Sequence, residues 1–167
     1  MTTIEDIVTA RPFPAPGPAE VDPLTEVDAL QEAQLLDCRV CALTSTAALL
    51  FELRTSLQFD QGNAALLVVR GLRSFDWNAP EAPGPLSALT VVSSVPHRSG
   101  DSLAVRLGLF PEGRLDVAGR AAEFYVLDVA GIGDVPPDYV ETDLRSVRAA
   151  LPSWSSVSSV LQATAKD

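Results

Sequence analysis

Few residues in this chain have the types and spacing that chemistry requires. Cys38 and Cys41, in CRVC, stand at C-x-x-C spacing. A zinc site needs four ligands, and the chain offers no second cysteine pair and a single distant histidine. Thioredoxin-like redox chemistry needs the pair at a helix N-terminus after a strand. The context LLDCRVCAL reads instead as a strand, where residues three apart face opposite sides. Two free thiols are expected, one buried and one partly exposed.

His97, the single histidine, sits beside a turn with no nucleophile motif around it, so an exposed side chain is expected. The carboxylates Asp134, Asp138, Glu141 and Asp143 match no EF-hand loop, and Pro136-Pro137 adds a rigidity such loops avoid. They read as helix-start acids and as a solvated surface open to a partner. There is no G-x-S-x-G, H-E-x-x-H or P-loop. Gly131-Ile132-Gly133 lacks the last glycine of a dinucleotide loop and runs into prolines. The reading is of a non-catalytic protein with no cofactor and no metal. Trp77, Trp154, Tyr125 and Tyr139 are candidate interface anchors, with core packing the more usual role in an aromatic-poor chain.

Charge says more about association than these residues say about catalysis. The net charge is −10, from 22 acids against 12 bases, and the only lysine is Lys166. Residues 12–38 hold six acids and no base, and residues 121–144 hold six more and no base. A field of this sign repels nucleic acid and anionic membranes and attracts a basic partner. If the fold brings the two blocks together they form one negative surface. The N-terminal residues lack a basic n-region and an apolar h-region, and no apolar run nears membrane-spanning length. A cytoplasmic protein is the expectation.

The elements that must position these groups are mostly strands. The length of 167 residues and 47% hydrophobic content suit one domain with a real core. Around the turn Asp60-Gln61-Gly62-Asn63, the runs 47–59 and 64–77 read as a hairpin, with Gly62 and Asn63 supplying positive φ. Leu49, Phe51, Leu53 and Leu57 fall on one side of a period-2 pattern, with Glu52 and Arg54 on the other. That is the mark of a half-buried strand. Further strands are expected over 35–44, 86–95, 103–109, 114–117 and 122–129.

The fold class follows as mainly β: an antiparallel sandwich, open barrel or meander of about six to eight strands with one or two short helices. The expected core includes Leu49, Phe51, Leu53, Leu66, Val68, Leu107, Val117, Phe124 and Val126. A helix is expected over 142–151, capped by Thr142, and another over 25–34, capped by Thr25. Residues 1–9 suit one helical turn. The organisation reads as a Pro-rich arm over 1–24, a β-rich domain over 25–152, and a Ser-rich tail over 153–167 that suits a docked helix or a loose end.

The stretch 36–77, with LLFELR and then LLVVRGL, resembles small acidic β-rich bacterial proteins of unknown function, some of which are immunity proteins of toxin systems. The resemblance implies a cytosolic binding protein without catalysis and carries over no named residue. Three function classes stand open: a binder of a basic protein, a structural subunit docking a neighbouring copy through its Pro-rich arm, and a small-ligand or hydrolytic β-barrel.

Overall fold

The structure, a computed structural model, describes residues 1–10, 13–82 and 84–167. Arg11 and Pro12 of the expected arm, and Pro83 of the expected turn, lie outside the described residues. The elements run α1 (Ile4–Thr9), β1 (Gln34–Cys41), β2 (Thr46–Glu52), β3 (Ala64–Asn78), β4 (Leu89–Ser99), β5 (Ser102–Phe110), β6 (Arg114–Val129), α2 (Leu144–Ala149) and β7 (Ser158–Lys166).

All seven strands join one antiparallel sheet in the order β3-β2-β1-β4-β5-β6-β7, and β3 also pairs with β6. That extra pairing turns six strands into a ring, β1-β2-β3-β6-β5-β4, with β7 laid on the outside edge of β6. The ring closes weakly. β1 meets β4 through two residue pairs only, Gln34 with Thr90 and Leu35 with Leu89. Upstream of β1, residues 28–33 continue along β4, with the Asp28 N–H donating to the Ser94 carbonyl and the Glu32 N–H to the Val91 carbonyl.

The long partners β3 and β6 hold the ring together. Ala64–Arg70 pair with Ala121–Leu127, and after an irregularity Ser74–Asn78 pair with Arg114–Ala118. β6 changes its second neighbour midway, from β5 at Gly119 to β7 at Ala122. Gly119 sits at the change. A Cβ there would stand 2.6 Å from Val69 Cγ1 and 2.8 Å from the Arg70 carbonyl oxygen.

Two apolar cores result, one on each face of β2, β3 and β6. Inside the ring, Leu49, Phe51, Leu67, Leu107, Val117, Phe124 and Val126 interdigitate. Outside, Leu50, Leu66, Val68, Tyr125 and Leu127 are covered by Ile4 and Ile7 of α1 and by Trp154. All nine residues expected in the core are buried, although Leu66 and Val68 belong to the outer core.

β2 is therefore buried on both faces, not half-buried as the alternation suggested. It ends at Glu52, before the expected Leu53–Phe59 continuation, and Leu57 is 87% exposed in the following loop. Of the turn residues only Gly62 takes positive φ, at 86°. Asn63 works through its side chain, which donates to the Val129 carbonyl and accepts from the Val129 N–H.

The helices need similar correction. α1 forms where expected, closed by a capping box between Thr3 and Asp6. α2 is shorter than 142–151 and is capped by Asp143 rather than Thr142. No helix forms over 25–34. Asp22 caps that segment with turns, and Asp28 and Glu32 take φ of 60° and 72°, which a helix cannot contain. Pairing with β4 outcompetes the local helix signal.

The Ser-rich tail is also a strand, because β6 offers it a ladder from Ala122 to Val129. The arm runs beside that strand: the Ala163 N–H donates to the Gly17 carbonyl, and the Ala19 N–H to Thr164 Oγ1.

Gly119→Ala should lower stability by roughly 1–3 kcal/mol, because the methyl meets backbone where nothing can shift. Gly17→Ala, which meets open space, should be near neutral. Urea unfolding of the two variants checks the contrast.

Candidate functional site

Beneath one end of the ring lies a buried cation that organises the loops around it. β2 ends at Glu52, whose carboxylate is fully buried, and the chain then turns so that Arg54 folds back on it. Arg54 Nε donates to Glu52 Oε1 at 2.8 Å and Nη2 to Oε2 at 2.5 Å, a bidentate fork. The remaining donors reach across to the 130s loop. Nη1 donates to the carbonyls of Ile132 at 2.7 Å and Val135 at 3.1 Å, and Nη2 to that of Ala150 at 2.7 Å. One guanidinium thus fixes the loop before α2 and the end of that helix.

The next two residues hold a second loop. Thr55 Oγ1 donates to the Glu32 carbonyl at 2.8 Å, and Ser56 Oγ to the Gln31 carbonyl at 3.1 Å. The last turn of the first acidic block and the start of the second acidic loop are therefore tied to neighbouring residues of one segment. Their side chains face outward: Glu32, Asp60 and Asp134 are exposed, as are Val135 at 77% and Leu57. The guanidinium below is already neutralised by Glu52, so these outer acids are uncompensated.

Only part of the expected acidic site has this freedom. Asp138 accepts from the N–H groups of Val140 and Glu141, and Asp143 accepts from the Ser146 N–H as the cap of α2. These bonds hold both carboxyls below their usual range. Their charge is present from neutral pH down through the ordinary carboxylate range, and the turns they cap weaken as pH falls through the lowered values. Asp134 and Glu141 hold no hydrogen bond through their side chains among the described residues. Asp138 and Asp143 thus also cap structure.

The two acidic blocks meet only in part. Glu32 and Asp134 reach the same end of the ring, whereas Glu123 of the second block is buried against Arg70. Arg70 Nη2 donates to Glu123 Oε1 at 3.0 Å and to the Ala10 carbonyl at 2.7 Å, and Tyr125 OH donates to Glu123 Oε1 at 2.6 Å. Sequence reasoning counted Glu32 within the first acidic block and set Leu57 on the apolar side of a strand, and it did not single out Asp60 or Val135 as candidate site residues. The signal was present in Leu57, an apolar residue past the turn-forming Arg54-Thr55, where strand pairing had already ended.

The other candidates fall apart spatially. His97 is exposed on β4 opposite Ala104. Trp154 is buried, donates from Nε1 to Asp37 at 2.6 Å and carries the Arg39 guanidinium 4.6 Å above its ring. Tyr125 is buried, Tyr139 half-buried with its OH on Gln34, and Trp77 is 44% exposed. Cys38 packs against the inner core, and burial pushes its thiol up to about 12. Cys41 is exposed, and hydrogen bonds from Thr44 pull its thiol below the usual value. Both are free. Among the described residues no group of three or more His, Cys, Asp or Glu is placed to hold a metal. No helix among them is long and apolar enough to cross a membrane.

Arg54→Met should cost about 3–5 kcal/mol, since it strands the Glu52 carboxylate in the outer core. Restoring charge balance with Glu52→Gln should recover part of that loss while the 132–135 amides stay fast in hydrogen exchange, because their carbonyl anchor is gone. Native protein at pH 8 should titrate one thiol with a disulfide reagent, Cys41, and the second only on unfolding.

No protein-family model matches this chain, and no curated protein matches it. Among solved structures, an uncharacterized protein from Neisseria gonorrhoeae is similar over 56% of this chain and 90% of its own, at 10% identity and a TM-score of 0.41.

Proposed function

We propose that this protein is a non-catalytic cytoplasmic binding module that docks a basic partner on the acidic end of its ring. The observation that carries the reading is the Arg54 anchor. It fixes the 132–135 loop through the Ile132 and Val135 carbonyls, and Glu32, Asp60, Asp134, Leu57 and Val135 are exposed on the segments around it. A held surface that exposes both acids and apolar side chains suits a partner with basic and apolar groups, and rigidity lowers the entropy lost on docking. The ring interior is filled by apolar side chains, which supports a binder over a barrel that takes its ligand inside. The arm lies against its own β7, which weighs against the arm as the docking element. The toxin-neutralising role that the sequence resemblance implies falls within this reading.

The test is capture from the native cell with mass spectrometry, then association kinetics on the partner recovered. The partner should be basic, and its association should slow as salt rises. Asp134→Lys combined with Glu141→Lys, which spares both caps, should slow association by about tenfold or more with the thermal unfolding midpoint unchanged. Recovery of acidic partners alone, or of this chain alone, would sink the reading, as would an association rate indifferent to the double variant.

A further inference from the structure

The chain treats two of its strand edges differently. The outer edge of β7 is occupied by the arm, through the Ala163 N–H to Gly17 carbonyl bond, and Pro14, Pro16 and Pro18 supply no N–H there. β1 has no such cover. β2 pairs with it along its whole length, but β4 leaves after Leu35, and from Leu36 to Cys41 no backbone partner stands on the other side among the described residues. The Cys38 N–H donates instead to the carboxylate of its own neighbour Asp37 at 2.8 Å. In an antiparallel strand, alternate residues present N–H and C=O to the same edge, so Cys38 and Val40 share this open one. Val40 is 53% exposed.

Two cavities flank the open edge, one on each face of the strand, and both include Leu35, Leu36 and Asp37 in their walls. On the inner side a space of about 380 Å³ is walled by Cys38, Phe75, Trp77 and Leu89. On the outer side a space of about 390 Å³ is walled by Tyr139, Trp154, Leu86 and Arg148. Trp77, 44% exposed, forms part of the wall of the inner space.

We infer that β1 is a strand-addition site that takes an extended segment of a partner protein, with a large apolar side chain set into the Phe75–Trp77–Leu89 space and polar side chains at alternate positions. Only an extended backbone supplies donors and acceptors at the two-residue spacing of Cys38 and Val40, and only a strand sends successive side chains to opposite faces. Charge favours a foreign segment over a second copy, since two chains of net charge −10 would repel along a shared edge. The strand edge itself is built from β1 backbone, not from the Asp134 and Glu141 side chains.

The test uses the full chain, immobilised and folded, against a display library of random 12-residue peptides. Selected peptides should alternate apolar and polar residues and carry an aromatic or large aliphatic residue at a fixed place. On binding, the Val40 amide should become slow in hydrogen exchange. N-methylation along one edge of the peptide should weaken binding about tenfold or more, while N-methylation along the other edge is tolerated. Trp77→Ala, at an exposed position, should weaken binding by a similar factor with the unfolding midpoint held. Failure to enrich any peptide would overturn the inference. So would peptides indifferent to both N-methylation and Trp77→Ala, or peptides that protect the 132–135 amides instead. A chain that dimerises without peptide and protects Val40 would overturn it in favour of a second copy. None of these results bears on the Asp134 and Glu141 double variant, so the two readings fail separately.

Discussion

A strand has two faces, and β2, the first half of β3 and the second half of β6 bury both of theirs. Most of the remaining architecture answers that constraint. A sheet apolar on both sides cannot stand in water, so one face is closed by curling the sheet into a ring and the other by laying α1, Trp154 and the arm across it. The inner face is satisfied by side chains from the other strands. The outer face has only short elements to cover it, and these are held by polar anchors: the Arg70–Glu123–Tyr125 cluster takes the Ala10 carbonyl and the Phe13 N–H.

The buried polar groups follow from the same constraint. An arginine under an apolar cover is tolerable only when a carboxylate meets it and its spare donors find carbonyls. Arg54 and Arg70 both meet that condition, each paired with a buried glutamate and each reaching a loop carbonyl distant in sequence. Such pairs add little net stability compared with an apolar core of the same volume. Their effect is geometric, since a fork of fixed donors admits one loop conformation. The surface charge is correspondingly lopsided, because two of the twelve bases are spent inside the protein.

Much of the strand pattern was legible because period-2 apolar spacing and turn residues are local signals. β3, β5 and the core residues Leu49, Phe51 and Phe124 are read directly from them. β2 misled for a physical reason: with both faces buried, Glu52 looked like a solvent-side residue when it was half of an internal ion pair. The segment 25–34 misled because Thr25 and Asp28 have cap spacing, yet β4 offered its backbone bonds that a helix would have forgone. The tail misled because Ser-rich composition says nothing of the ladder waiting on β6. The acidic end was half legible. Asp134 stood out by charge, but Glu32 and Leu57 join it only through hydroxyl bonds from Thr55 and Ser56, which no spacing announces.

β6 pairs with β3, β5 and β7 in one continuous run of residues. Its ladder with β5 joins positions close in sequence, whereas its ladder with β3 joins Ala64 to Leu127 across most of the domain's middle. Loop closure of that length is an entropic barrier that local hairpins do not face. The β4–β5–β6 meander can therefore assemble early, but neither core can close until β3 finds β6. Both apolar faces depend on that one long-range ladder.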